Sequence, residues 1–595
     1  MVGNIASRGK PVGLLVLNLL AILIGLVAGL GAVVFRGLIA LFHNLLFLGH
    51  FSFIYDANVH TPPSPWGFWV ILVPVAGAAA VAFLVGNFAP EAKGHGVPEV
   101  MDAIYYNNGV IRPVVALIKS LASALSIGSG GSIGREGPII QIGASFGSTM
   151  GQVIRMPPWQ RITLIAAGAG AGIAATFNTP IGGVLFAAEI MLHEVSARTL
   201  IPLAISTATA TYVGRLSFGP APSFVIPALE TPYFHVDNFW MLLSCVVLGI
   251  LLGLVSAAYI KSIYAFEDFF EQRVKGNYYT RHMTGMLLVG IIMYLLMVKW
   301  NHYYIEGVGY STIQDVLTGT LSTFHVLLLL FVLKLLVTSL TLGSGASGGI
   351  FSPSLFMGAT LGAAYGIALG WCFPGMDKGV SGFAVAGMAG LVGGATGAAM
   401  AAIVMIFEMT LDYNVIIPVT ITVAVSYGIR KVLCPESIYT LKLTRRGHHI
   451  PSALHANLSY VKHVKDIMQS TITALPASST LDALAKTVLE HPKQSHFLVH
   501  DGDRIVGLVG REAALGALDQ PHSAKTLGQI ANTRFIVVSG DTMLADLLGA
   551  MYTKGVSISL VAAKAKAPAI TDIQGIVTEY ETADAMIRSV DLFCD

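Results

Sequence analysis

The chain has 595 residues, 54% of them hydrophobic and only 11% charged, with a formal net charge of +2. Its mean hydropathy of +0.70 excludes an ordinary soluble domain, where about 25% of residues are charged, and points to a multi-pass membrane protein. With no basic run, nucleic acid is excluded as a partner, and Cys245, Cys372, Cys434 and Cys594 are too scattered for a disulfide framework or metal site.

The first apolar run, VGLLVLNLLAILIGLVAGLGAVVF (12–35), is too long for a signal-peptide core and shows no clear cleavage site. Arg8 and Lys10 precede it, so the positive-inside bias puts the N-terminus in the cytoplasm. Hydrophobic segments then fill the chain to about residue 430, many too short or too broken by Gly and Pro to cross a bilayer straight. After the last, IIPVTITVAVSYGI (416–429), come Arg430, Lys431, Lys442, Arg445 and Arg446. That end is also expected in the cytoplasm, which requires an even number of full crossings.

Along this stretch lie three Gly-rich loops that each end in a proline: GHGVPEV (94–100), GSGGSIGREGP (128–138) and GIFSP (349–353). Each proline reads as the opening residue of a helix, where its missing N–H is no loss. The loops thereby offer three helix N-termini, which favour anions. If they converge, they form an anion site made of backbone, without a fixed full positive charge, that can hold an ion weakly enough to release it. The second loop also carries Glu136, a carboxylate that costs roughly 3 kcal/mol at the membrane centre unless a helix end meets it.

The stretch from Gly134 recurs. GREGPIIQIGASFG (134–147) and AAGAGAGIAATFNTPIGGVLFAAEIM (166–191) are echoed by GIFSPSLFMGATLG (349–362) and AVAGMAGLVGGATGAAMAAIVMIFEM (384–409). Pro138 and Pro353 lie 215 residues apart, and Glu189 and Glu408 219. Duplicated halves with broken helices at matching places predict a transporter site at the repeat interface.

Beyond residue 450 the chain turns polar. VKDIMQSTITALPASSTLDALAKTVLE (464–490) is a capped helical stretch, and HFLVHDGDRIVGLV (496–509) predicts a hairpin with an Asp-Gly turn. A looser copy follows over 526–587. The expected organisation is a membrane domain over 1–450, a linker over 451–462, and two small α/β units over 463–520 and 524–590.

Rival chemistries fit poorly. GASG (345–348) matches the GxSG pattern of membrane serine proteases, but no histidine lies between Gly348 and His448 to serve Ser347 as base. HExxH and GxxxxGK[ST] are absent, so no enzyme is expected. A divalent-cation channel would need acids along its path, whereas these loops favour anions.

These stretches resemble the signature motifs of the CLC family of chloride channels and proton-coupled chloride exchangers. GREGP matches it letter for letter, GIFSP fits GxFxP, and GGVLFAAE (182–189) and SIYTLKL (437–443) also match; the C-terminal pair resembles CBS domains. The resemblance implies an all-α polytopic membrane domain with an inverted internal repeat and broken helices, followed by a cytoplasmic α/β CBS pair. It implies a homodimer in the cell membrane that moves chloride or related anions. Carried over by position, Glu136 is the gating glutamate. Gly96, Ile350 and Phe351 belong to the anion-binding loops, Tyr439 supplies a hydroxyl, and Lys119 sits below the pathway.

Three departures qualify this. The family's usual GSGIP is GHGVP here, so His95 replaces an anion-binding serine; it is either a ligand or a bystander. Exchangers usually carry two adjacent acids at the end of the GVLF helix, the second relaying protons. Here the pair is Glu189-Ile190, which leans toward channel-like or weakly coupled transport, with proton-coupled exchange as the alternative. Glu189 is either a substitute in the proton path or a structural acid echoed by Glu408. In the CBS copies, GLVGREA (507–513) lacks the hydroxyl and acid of the nucleotide-binding stretch, while GIVTEYE (575–581) keeps Thr578 and offers Glu581. An adenine nucleotide there is the one cofactor in question; otherwise the pair is structural.

Overall fold

The computed structural model describes residues 10–193, 195–221, 224, 239–373, 380–450, 462–492, 494–514, 525–563 and 568–591. The chain forms two compact units, 1–450 and 451–595. Except for Lys462, the expected linker lies outside the described residues, as do the boundary between the two small copies and Cys594.

The first unit is helical. Two apolar helices, α1 (Leu14–His43) and α2 (Val73–Phe88), precede a run of six: α3 (Val97–Tyr105), α4 (Val114–Gly128), α5 (Glu136–Val153), α6 (Pro158–Phe177), α7 (Pro180–Phe186) and α8 (Ala197–Phe218). Two long helices, α9 (Phe239–Gln272) and α10 (Tyr278–Trp300), open the second half. A matching six follow: α11 (Tyr310–Leu317), α12 (Phe324–Ser344), α13 (Phe351–Cys372), α14 (Val380–Thr396), α15 (Ala399–Thr410) and α16 (Ile416–Leu433), and then a short α17 (Thr440–Arg445). Among the described residues, seven helical segments are long and apolar enough to cross a membrane, and four apolar helices, α4, α7 with its π-helical extension to Leu192, α14 and α15, are shorter. The unit is a multi-span membrane domain.

Glycine holds equivalent helices together in both halves. A Cβ on Gly143 (α5) or Gly168 (α6) would run into the other's carbonyl, and Gly358 (α13) and Gly387 (α14) stand in the same relation. Only small residues allow backbones this close, and van der Waals packing then replaces the hydrophobic drive that lipid removes. This is why the Gly/Ala-rich stretches recur at the same spacing.

The prolines do not open their helices as expected. α5 begins at Glu136 and α13 at Phe351, which makes Pro138 and Pro353 their third residues; Pro98 is the second of α3. The physical reason is that the first four N–H groups of a helix all lack partners, so proline is tolerated throughout the first turn. The shift brings Glu136 inside the helix end.

The second unit contains two three-stranded sheets of one topology. In the first, β1 (Ala474–Pro476) runs parallel to β2 (His496–Asp501), which pairs antiparallel with β3 (Arg504–Gly510). β4 (Ile536–Val538), β5 (Ile558–Ala562) and β6 (Ile573–Thr578) repeat this. Leu498 and Leu508 of one sheet bury against Leu560 and Ile576 of the other. The hairpin turn is one residue later than expected. Asp501 pairs with Arg504, so the central residues are Gly502 and Asp503, and Gly502 takes the positive φ of 58° that the first position of a tight hairpin turn favours.

Candidate functional site

The three glycine loops converge. Gly134 and Gly349 exchange backbone hydrogen bonds, each N–H donating to the other's carbonyl at 2.7 Å. The Gly94 N–H donates to the Ala346 carbonyl at 3.0 Å, and Gly348 N–H returns to Gly94 at 3.2 Å. Gly137 packs directly on the His95 carbonyl, and a Cβ on Gly96 would approach Gly137 O at 2.8 Å. The starts of α3, α5 and α13 therefore meet at one place, buried in the membrane unit. The N–H groups of Ile350 and Phe351 donate to no acceptor among the described residues.

Glu136 lies within this junction with 1% of its surface exposed. The Tyr310 hydroxyl donates to its Oε1 at 2.7 Å, the Ser352 N–H to its Oε2 at 3.3 Å, and the Ser352 hydroxyl also donates to Oε1. Its Oε2 packs over Gly134, where any side chain would collide. No described cation forms an ion pair with it; the neighbouring Arg135 turns its guanidinium over the Tyr310 ring instead, 5.1 Å from the centroid. Three donors to a charged acceptor, at about 1.5–3 kcal/mol each, offset a burial cost of about 3 kcal/mol. Every one of these donors is neutral, so no ion pair with a described cation ties the carboxylate in place.

Tyr310 was not singled out from sequence. It is the first residue of α11 and follows Gly309 (φ +75°), just as Val97 follows Gly96 (φ +85°) at the start of α3. The signal was the pair GHGV (94–97) and GVGY (307–310), spaced 213 residues apart. The lysines confirm the match. Lys119 Nζ donates to the carbonyls of Ala92 and Gly94 at 2.9 and 2.7 Å; Lys334 Nζ, 215 residues on, donates to Ile305 and Gly307 at 3.0 and 3.1 Å. Each buried ammonium clamps the loop that leads into a short helix.

The family model described as voltage gated chloride channel matches residues 77–431, and the CBS domain model matches 464–520. The chain belongs to the CLC family. It is 33% identical over 389 residues to the H+/Cl− exchange transporter ClcA of Vibrio parahaemolyticus, which covers 63% of this chain and 80% of that one. A slow cyanobacterial Cl−/H+ antiporter superposes with a TM-score of 0.61 at 26% identity, covering 72% of this chain and 97% of its own. A eukaryotic CLC transporter, at 20% identity and a TM-score of 0.60, shares the fold over 96% of this chain and 98% of its own.

The remaining CLC positions fall as follows. His95 is 5% exposed, and its Nδ1 has no partner among the described residues. Tyr439 is 2% exposed, and its hydroxyl donates to no described acceptor. The chain before it is fixed by Tyr264, whose hydroxyl donates to the Ile438 carbonyl at 2.7 Å. Glu189 accepts the N–H groups of Met400 and Ala401 at 3.3 and 2.9 Å, at the start of α15. Glu408 accepts those of Ile181 and Gly182 at 3.1 and 2.7 Å, at the start of α7. Each acid thus caps a helix of the opposite half, and the structure does not bring either to Glu136. Ile190 is buried beside Glu189 in the π-helical turn Ala187–Leu192. Three residues on, His193 Nδ1 meets the Tyr105 hydroxyl at 2.9 Å. Ser347 is buried against Ser123 and the Ala92 carbonyl.

In the CBS unit Thr578 and Glu581 come together. The Thr578 N–H donates to Glu581 Oε2 at 2.9 Å and its hydroxyl does the same; Gln469 Nε2 donates to Oε1 at 2.5 Å. Among the described residues no cluster of His, Cys, Asp and Glu could hold a metal.

Proposed function

We propose that the protein moves chloride or a related anion across the cell membrane through a CLC-type pathway gated by Glu136. The observation that carries this is the carboxylate held by neutral donors where three helix N-termini meet, beside the free N–H groups of Ile350 and Phe351. The carboxylate occupies an anion position and swings aside when an anion enters. The unpartnered His95 Nδ1 favours the ligand role for this histidine, and the Tyr439 hydroxyl is free to reach the same ion. The protein works as a homodimer with its N-terminus and CBS pair in the cytoplasm. Chloride efflux from proteoliposomes tests the reading; a membrane that passes magnesium but no chloride would overturn it.

Coupling to protons is the finer question. Ile190 carries no proton, and the carboxylate of Glu189 is engaged as a helix cap, which supports channel-like or weakly coupled transport. The reversal potential should then follow chloride alone. The exchanger reading draws on the relatives named as exchangers and on one observation in this chain, the part-buried His193–Tyr105 pair at the end of the Ile190 segment. On that reading a proton gradient shifts the reversal potential, and His193→Ala removes the shift. In the CBS pair, an adenine nucleotide would have to displace the Thr578–Glu581 hydrogen bonds; the structural role leaves them in place. Adenosine triphosphate binding to the full chain, measured by calorimetry, separates the two.

A further inference from the structure

The guanidinium of the arginine beside Glu136 forms no hydrogen bond or ion pair with it among the described contacts. Arg135 is 9% exposed, its guanidinium forms no hydrogen bond to a described residue, and its Nε is buried without an acceptor. Arg36 of α1 packs its guanidinium on the Phe218 ring, 4.4 Å from the centroid, and also lacks a described hydrogen-bond or ion-pair partner. Burying the Arg135 donor without an acceptor is costly, and the half-buried Arg36 held near it adds like-charge repulsion. In native structures such a group calls for an explanation, an ordered water or an ion among them.

Both guanidinium groups line one cavity of about 210 Å³, and Tyr310, the donor to Glu136, forms part of its wall. Arg215 stands on the same cavity, with its Nε donating to Asn178 Oδ1 at 2.6 Å and its remaining N–H groups uncommitted among the described residues. Asp56 is the one acid among the residues lining it, which leaves three guanidinium groups against one carboxylate. Arg36 and Arg135 also line a smaller cavity with Glu306, whose Oε1 meets His43 at 2.9 Å and Thr61 at 2.5 Å and so is engaged away from them. No described carboxylate comes within 4.0 Å of Arg36 or Arg135. The cavity is larger than one bare halide needs. Planar guanidinium forks match planar oxyanions with two parallel hydrogen bonds, which a spherical halide cannot use.

We propose that Arg36 and Arg135 form a second anion site, separate from the one that Glu136 fills, which takes a small carboxylate. A carboxylate seated there stands against Tyr310 and obstructs the approach to the gate, so the site acts as an inhibitory one. The proposal concerns a different set of donors from the transport pathway and holds whichever way coupling is resolved.

Acetate is the probe. Calorimetry on the full chain in detergent, in fluoride-, chloride- and carboxylate-free buffer, should show one acetate site. Arg36→Gln should weaken it at least tenfold, with Arg36→Lys in between, because lysine keeps the charge and loses the fork. Glu136→Gln should hold acetate within twofold of the parent chain. In proteoliposomes, acetate present on both sides should inhibit chloride efflux, and the inhibitory concentration should rise at least tenfold in Arg36→Gln. Acetate binding that is equal in the parent, Arg36→Gln and Arg36→Lys chains would overturn the proposal. So would binding lost in Glu136→Gln, which would place acetate in the gate. Calorimetry reads the site even in a chain that passes no chloride, so failure of the transport reading and failure of this one are distinguishable.

Discussion

Glu136 and the pair Glu189 and Glu408 are all carboxylates set at helix starts inside the membrane unit, and they are held in opposite ways. Glu189 and Glu408 each take two backbone N–H groups from the other half. Backbone donors at a helix end cannot turn away, so these acids are fixtures. Glu136 takes one backbone N–H and two hydroxyls, from Tyr310 and Ser352. Hydroxyls rotate at little cost, and the ends of α3 and α13 beside it are left open. The contrast teaches that a buried acid becomes a movable part when its donors can be satisfied without it.

Substitutions should separate the two kinds of acid. The largest effect is expected for Glu408→Ala or Glu189→Ala, which orphan two helix-end N–H groups each, one of them on a buried residue, at about 1–3 kcal/mol for that one. The measurement is the yield of monodisperse protein and its thermal unfolding in detergent; wild-type behaviour in both variants would erase the distinction. Glu136→Gln should fold normally and pass anions with no dependence on pH. Chloride efflux at pH 4.5 and 7.5 reads this, and a retained pH dependence would remove Glu136 from the gate. Tyr310→Phe deletes one donor to a charged acceptor, worth about 1.5–3 kcal/mol. It should raise efflux at neutral pH by about tenfold or more while leaving a weaker pH dependence, unlike the glutamine variant.

The smallest effect lies in the CBS unit, at the half-buried ring of His496, whose Nδ1 meets the Ser495 hydroxyl at 3.1 Å. Burial lowers the pKa of His496 below its ordinary value, so the folded unit prefers the neutral ring. Above the unfolded value of about 6.5 both states are neutral. As pH falls through that value the unfolded chain takes up the proton first, so stability is lost from there down to the depressed folded pKa. The protection factors of the β2 amides in the full chain, with the intrinsic exchange rate divided out, should therefore fall more on going from pH 7.5 to 5.5 than in His496→Gln.

Much of this was legible in the chain. The fold class and the meeting of the halves followed from GREGP, GIFSP and the two acid-ended helices, because each motif is a local run with strong Gly and Pro punctuation. Tyr310 and Lys334 escaped notice for a physical reason. α11 has eight residues and no proline, so its glycine pair alone marks the helix start, and a tyrosine there reads as ordinary packing. The helix entry of Pro138 was misplaced because proline suits any position of a first turn. That Arg135 would ignore Glu136 could not be read at all, since adjacency in sequence does not set where two long side chains point.

The crossed caps have a consequence for biosynthesis. α7 and α15 are each capped from the opposite half: α7 waits for an acid 227 residues further on, whereas α15 takes one made 212 residues earlier. During translation the first half must therefore sit in the bilayer with its broken helix unfinished until Glu408 has left the ribosome. A nascent chain arrested before that point should be a substrate for membrane quality control, and the two halves should commit to their final form together, as one late event.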